Sequence, residues 1–153
     1  AAAPRRCTDS SRGGQAAAPE EVMLLLDSSV WIDGLRGQST EATRFLQARD
    51  DQEEIATTGI VFQEVLQGIR DAGQFDRMRQ VLWSSLILEP RELSTYEVAA
   101  QLYRKARAAG LTIRKSNDCL IAAVALEHGA LLVHNDRDFD LLARHLGLSV
   151  VRV

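Results

Sequence analysis

The sequence predicts an α/β domain with a mostly parallel sheet, and three observations carry that prediction. Short apolar runs such as Val22 to Leu26 and Gly129 to Val133 have the length of strands. Between such runs lie stretches with apolar residues at helical spacing, several of them closed by glycine. The two patterns alternate along the chain. Strands joined through helices make right-handed crossovers, which leave a parallel sheet covered on both faces, a three-layer α/β/α arrangement of about five strands.

Residues 1 to 21 are rich in Ala, Pro, Arg, Gly and Ser and lack apolar periodicity, so they read as a disordered leader or extension rather than a secretory signal. Residues 22 to 153 read as one domain. Val22 to Asp27 is the first buried strand, followed by a helix around Ser29 to Arg36, a break at Gly37 and a helix from about Thr40 to Arg49. Ile55 to Thr57 is a short strand. Thr58 is placed to cap a helix running through Ile69, whose apolar members Ile60, Val61, Val65, Leu66 and Ile69 share one side. A helix from about Phe75 to Ser84 precedes a strand Leu86 to Leu88 that Pro90 ends, and Leu93 to Ala109 is a long amphipathic helix closed by Gly110. The helix that begins at Ser116 is apolar almost all round from Leu120 to Leu126, which suits burial against a sheet, and Gly129 stops it. Leu131 to Val133 is a strand, Phe139 to His145 a short helix, and Ser149 to Val153 a last strand after the turn at Gly147.

A chain of 153 residues with 46% hydrophobic content can bury a substantial core. No apolar run approaches the roughly 20 residues of a membrane span, so a soluble protein with no membrane partner is expected. Cys7 and Cys119 provide neither a disulfide framework nor a C-x-x-C spacing, which favours a reducing, cytoplasmic compartment. With a net charge of −3 the molecule is no polycation, so a nucleic acid would have to be held by local basic clusters and by metal.

In a parallel sheet the ligand crevice lies beyond the carboxyl ends of the strands, at the point where strand order reverses. Asp27 ends the first strand, and Asp136 follows the strand Leu131 to Val133 with two residues between. Asp118 falls in the first turn of its helix and Glu64 about two turns into its own, so both could reach the same rim. Carboxylates gathered there repel one another strongly unless divalent cations sit among them. The expectation is therefore an enzyme dependent on Mg²⁺ or Mn²⁺ and acting on phosphate esters. A hard cation of this kind takes oxygen ligands and keeps several waters, so a few carboxylates suffice.

Each acid also has a plainer role open to it. Asp27 could cap the helix that follows, although Ser28 and Ser29 could do so without a charge. Asp118 could serve the helix dipole, with Asn117 or Ser116 as equally good caps. Glu64 could be a solvated helix residue, yet Val61, Phe62, Val65 and Leu66 flank it. Among Asp136, Asp138 and Asp140, one or two would cap the next helix; Asp136 is favoured as the ligand and Asp138 as a second one. His128 suits a dipole partner at a helix end more than a catalyst, and His134 a structural role ahead of contact with substrate. Arg104, Lys105, Arg107, Arg114 and Lys115 form a basic stretch, read first as a solvated helix face and second as a phosphate-steering surface. Trp31 and Trp83 suit a core or an interface.

At these residues the chain resembles the PIN-domain family, and in particular the VapC-type toxins of toxin–antitoxin pairs. Leu25-Leu26-Asp27-Ser28-Ser29 is similar to the family's first strand and D-[ST]-S signature. Ile60 to Gly68, with Glu64 inside, is similar to the segment bearing the second acid. Asp118-Cys119-Leu120-Ile121-Ala122-Ala123 resembles the D-x-x-I-A-A motif, and Asn135-Asp136-Arg137-Asp138-Phe139 the last motif, x-D-x-D-F. The resemblance implies a Mg²⁺- or Mn²⁺-dependent endoribonuclease whose metal is held by Asp27, Glu64, Asp118 and Asp136, with Asp138 alongside. It also implies RNA as substrate, a cognate VapB-type antitoxin and a homodimer. His134 departs from the Thr or Ser that relatives often carry at that position.

Two other enzyme or receptor classes fit less well. A haloacid-dehalogenase-like phosphatase needs a second Asp where Ser29 stands. A phospho-receiver domain needs an acidic pair after the first strand and a late Lys, and neither is present. A PIN module that has lost catalysis would not keep all its acids.

Overall fold

The computed structural model describes residues 22–49 and 53–150. The expected leader, residues 1 to 21, lies outside them, as do residues 151 to 153 of the last expected strand. Four strands form a parallel sheet: β1 (Met23–Leu26), β2 (Glu54–Thr57), β3 (Leu86–Ile87) and β4 (Leu131–Val133), in the order β3-β2-β1-β4. Among the described residues the sheet has four strands, where about five were expected. Val150, in the range of the expected last strand, lies beside Leu132 of β4 in an isolated parallel bridge.

Strand alternation explains the two layers of helices, because neighbouring residues of a strand point to opposite faces. Leu25 faces one side with its partners in register, Ala56 and Leu132, and meets the larger core. That core is built from α3 (Gly59–Gln67), α4 (Ala72–Ser84), α5 (Leu93–Ala108), α6 (Ser116–His128) and α7 (Arg137–Leu146). Leu24, Leu26 and Val133 face the other side, against Val30 of α1 (Ser28–Leu35) and Ala42 of α2 (Glu41–Gln47). The strands are apolar on both faces because both are covered.

Local chemistry sets most helix ends. Thr58 caps α3 by accepting the Val61 N–H, as the sequence suggested. Thr40 and Thr43 cap α2 reciprocally. Gly129 and Gly147 end α6 and α7 with φ of 64° and 73°, the left-handed turn that glycine makes without strain. The α4 helix begins at Ala72, three residues before the expected Phe75, because the Asp71 side chain accepts the Gln74 N–H at 2.8 Å and caps the helix there. The α7 helix likewise begins at Arg137 instead of Phe139, with Asp136 as cap. Among the described residues, no helix is long and apolar enough to cross a membrane.

The strand order places the crevice. The chain runs from β1 outward to β2 and β3, then returns to put β4 on the other side of β1. The order therefore reverses between β1 and β4, and loops leaving these two strands diverge to open a cleft. The Asp27 N–H donates to the Val133 carbonyl at 3.0 Å and holds the two strand ends together at its floor.

Candidate functional site

Asp27 stands at the end of β1 and is 4% exposed. It is also the cap of α1: Oδ2 accepts the Ser29 backbone N–H at 3.1 Å and the Ser29 hydroxyl at 2.6 Å. The capping role and a place at the crevice are thus combined in one side chain. Ser29 Oγ in turn accepts the Asn135 N–H at 3.3 Å, which ties the loop after β4 to the start of α1.

Asp118 lies in the first turn of α6 and is only 2% exposed. The cap position of that helix belongs to Lys115, with no side-chain cap bond, so neither Asp118 nor Asn117 spends its side chain on capping. Asp118 Oδ2 is buried without a hydrogen-bond partner. Burial first, then the charges of Asp27 and Asp136, push its carboxyl up to about 7. That mutual repulsion brings three of the sequence-selected acids, and Asp138 with them, into one electrostatic neighbourhood. Glu64 joins through α6: Asn117 Nδ2 donates to Glu64 Oε1 at 3.0 Å, across 53 residues of chain.

Asp136 and Asp138 have a different setting. Asp136 Oδ1 accepts the Asp138 N–H at 3.0 Å as the cap of α7. The same oxygen accepts from Arg114 Nη2 at 2.7 Å, and Lys115 Nζ stands 3.9 Å from Oδ2. Asp138, 2% exposed, accepts the Arg114 backbone N–H at 2.9 Å through Oδ2, with Arg114 Nε at 3.4 Å. His134 supports this loop from beneath. Its Nδ1 accepts the Asp136 N–H at 3.2 Å, its ring packs on Phe139 with centroids 5.2 Å apart, and burial lowers its pKa.

Asp27, Asp136 and Asp138 therefore lie near Asp118, with Glu64 reached through Asn117, yet among the described residues no three His, Cys, Asp or Glu side chains stand in a geometry that holds a metal as they are. Asp136 and Asp138 turn to Arg114, Glu64 to Asn117 and one oxygen of Asp27 to Ser29. The donor set is carboxylate oxygen, the chemistry a hard divalent cation takes, and the orphaned Asp118 Oδ2 is the atom that lacks a counterpart.

The profile of the PIN domain matches residues 24–145. The chain belongs to the PIN-domain family. Within the family it is 36% identical over 131 residues to Ribonuclease VapC11 of Mycobacterium tuberculosis, spanning 83% of this chain and 96% of that protein. A toxin–antitoxin complex from Klebsiella pneumoniae superposes with a TM-score of 0.63 at 27% identity, covering 84% of this chain and 96% of that one. VapBC2 from Rickettsia felis, bound to a DNA fragment from its promoter, gives a TM-score of 0.68 at 21% identity over 85% and 98% of the two chains, a likeness of fold.

The PIN-domain assignment accounts for the order of the acids but not for all of their partners. In the sequence Arg114 is one member of a basic stretch, and the contacts of Asn117 and Asn135 have no local signature. Asn135 Nδ2 donates to Asp33 at 2.7 Å, from 102 residues away. Spacing along a chain carries no trace of such pairings, because only the tertiary fold brings the loop after β4 against α1 and against the loop before α6. Cys119 is a free buried thiol, pushed up to about 11 by burial and then by Asp118, so it is an unreactive core residue. Cys7 lies outside the described residues.

Proposed function

We propose that the chain is the toxin of a toxin–antitoxin pair, a metal-dependent endoribonuclease that uses Mg²⁺, accepts Mn²⁺, and is neutralised by a small VapB-type antitoxin. The observation that carries the reading is the Asp118 carboxylate, buried, without a partner at Oδ2, and raised to about 7 by burial and then by its acidic neighbours. A group so placed costs the fold stability and supplies no structural bond there in exchange, which is the mark of a site kept for chemistry.

Asp27 and Asp118 would hold the ion, with Glu64, Asp136 and Asp138 completing the acidic wall. A bound divalent ion would supply a water of lowered pKa and stabilise the charge on the leaving oxygen of a phosphodiester. The chain's own residues do the positioning. The Ser29 bonds fix Asp27 Oδ2 at the end of β1. Asn117 orients Glu64, and Asp118 carries its full charge only above about pH 7.

The ribonuclease name of the relative and the antitoxin-bound state of the structural neighbours support the substrate and the partner. An apolar groove of about 330 Å³ between α1, α2 and α4, lined by Trp31, Leu35, Leu46, Met78 and Val81, offers an antitoxin segment a place to lie. Exposed Leu93, Tyr96 and Leu126 suit a homodimer contact, and the cytoplasm is where such a pair would meet its RNA. RNA cleavage mapped by end sequencing tests the central part. Cleavage in Mg²⁺ that disappears with EDTA, with Asp27→Ala and with Asp118→Ala is expected; cleavage surviving all three overturns the proposal.

A further inference from the structure

The acids of the cleft fall into two sets that differ in charge balance. Asp136 and Asp138 already face two cations of their own chain, Arg114 and Lys115. The side-chain bonds of Asp27 and Glu64 go to neutral donors, Ser29 and Asn117, and Asp118 Oδ2 has no partner. A site built for a pair of divalent ions would leave both sets in want of positive charge. Here only one set is.

Arg114 is well suited to stay where it is. Its backbone N–H is anchored on Asp138 Oδ2 at 2.9 Å, so the base of the side chain is fixed by the same carboxylate that Nε approaches. A guanidinium keeps its charge at any working pH and offers five donors in one plane. Nη2 and Nε stand against the carboxylates, while the side chain remains 64% exposed. These two contacts use only part of the guanidinium's donors, and an exposed guanidinium is a common partner for a phosphate oxygen.

We propose that Arg114 is the built-in second cation of this nuclease: its guanidinium fills the ground beside Asp136 and Asp138, so that the chain takes one divalent ion at Asp27 and Asp118, and its remaining N–H groups bind a phosphate oxygen of the RNA. The inference rests on the metal-dependent reading above. It assigns Arg114 a part in substrate binding and in stabilising the charge that develops on the phosphate, a role worth about 10²–10³-fold in rate where a fixed donor faces such charge. It also gives the pair Arg114 and Lys115 a purpose beyond that of a solvated face.

The test is Mn²⁺ binding at pH 8 in the absence of RNA, followed by the spin-resonance signal of the free ion. Wild type is expected to bind one Mn²⁺ and Arg114→Ala two, with the second lost again in Arg114→Ala/Asp136→Asn. Arg114→Gln keeps the stem and a hydrogen-bond donor without the charge, and is expected to bind two ions also if Arg114→Ala proves too unstable to measure. With RNA, Arg114→Ala is expected to raise KM and lower kcat, while Arg114→Lys recovers part of the KM because the charge is kept. Two ions in wild type, or one in both wild type and variant, would overturn the role of Arg114 and leave the metal reading standing. A wild type that binds no Mn²⁺ would overturn the metal reading and this inference with it.

Discussion

Asp118 and Asp138 are equally buried, each 2% exposed, and their company is opposite. Asp138 Oδ2 receives the backbone N–H of Arg114 and sits against its guanidinium. Asp118 Oδ2 receives nothing, and its carboxyl is raised to about 7 by burial and by Asp27. Removing an ion from water costs several kcal/mol unless partners compensate. Asp138 is compensated within its own chain, and Asp118 is left to be compensated from outside. One set of these carboxylates is thus neutralised by folding, and the other is where the proposed cation would sit.

Substitution of the two residues separates these roles. Asp118→Asn preserves shape and removes charge; it is expected to lower RNA cleavage in Mg²⁺ by about 10²–10³-fold or more, measured as single-turnover rate. The same variant sharpens the comparison through pH. The Asp118 carboxyl has a folded pKa of about 7 against an ordinary 3.8, so the native state binds the proton more tightly than the unfolded chain. Metal-free stability contributed by this group is therefore present below about pH 4, declines as pH rises through 4 to 7, and is level above, for a total of at most about 4 kcal/mol. Urea denaturation in EDTA at pH 5 and pH 8 should show wild type losing stability against Asp118→Asn across that interval. An unchanged difference between the two proteins would contradict the raised pKa.

Asp138→Ala should act on the fold. It removes the acceptor of two Arg114 contacts, and a loss of about 1–3 kcal/mol is expected in urea denaturation at pH 7. If Asp138→Ala were neutral for stability while abolishing cleavage, the two carboxylates would not differ as described. The smallest effect concerns Glu64. Asn117→Ala frees its carboxylate from the 3.0 Å bond, and Mn²⁺ affinity measured by calorimetry should fall about tenfold, the lower end of what orienting residues contribute.

Much of this architecture can be read from the chain. Apolar runs and helical periodicity place every described strand and helix within a few residues, because both faces of the sheet are covered and the pattern is strong. The place of Asp27 at the end of β1 is legible because it directly follows a buried apolar run. The start of α4 lies ahead of the apolar periodicity that begins at Phe75, because the helix is set by the Asp71 cap on Gln74. In the Asp136, Asp138 and Asp140 cluster, where one or two caps were expected and Asp136 was favoured as ligand, Asp136 is itself the cap of α7. The pairing of Arg114 with Asp136, 22 residues apart, follows no local rule: it depends on how the loop before α6 meets the loop after β4. Motif order suggests which acids share the cleft, and only the folded chain says which are already neutralised.

The central claim is that Asp118 is the carboxylate left for a cation, and the Mg²⁺ dependence of thermal stability tests it most directly. At pH 8, adding Mg²⁺ should raise the Tm of wild type progressively and leave that of Asp118→Asn almost unmoved, because an ion that binds only the native state stabilises it in proportion to its occupancy. Equal rises in the two proteins, or none in either, would contradict the account.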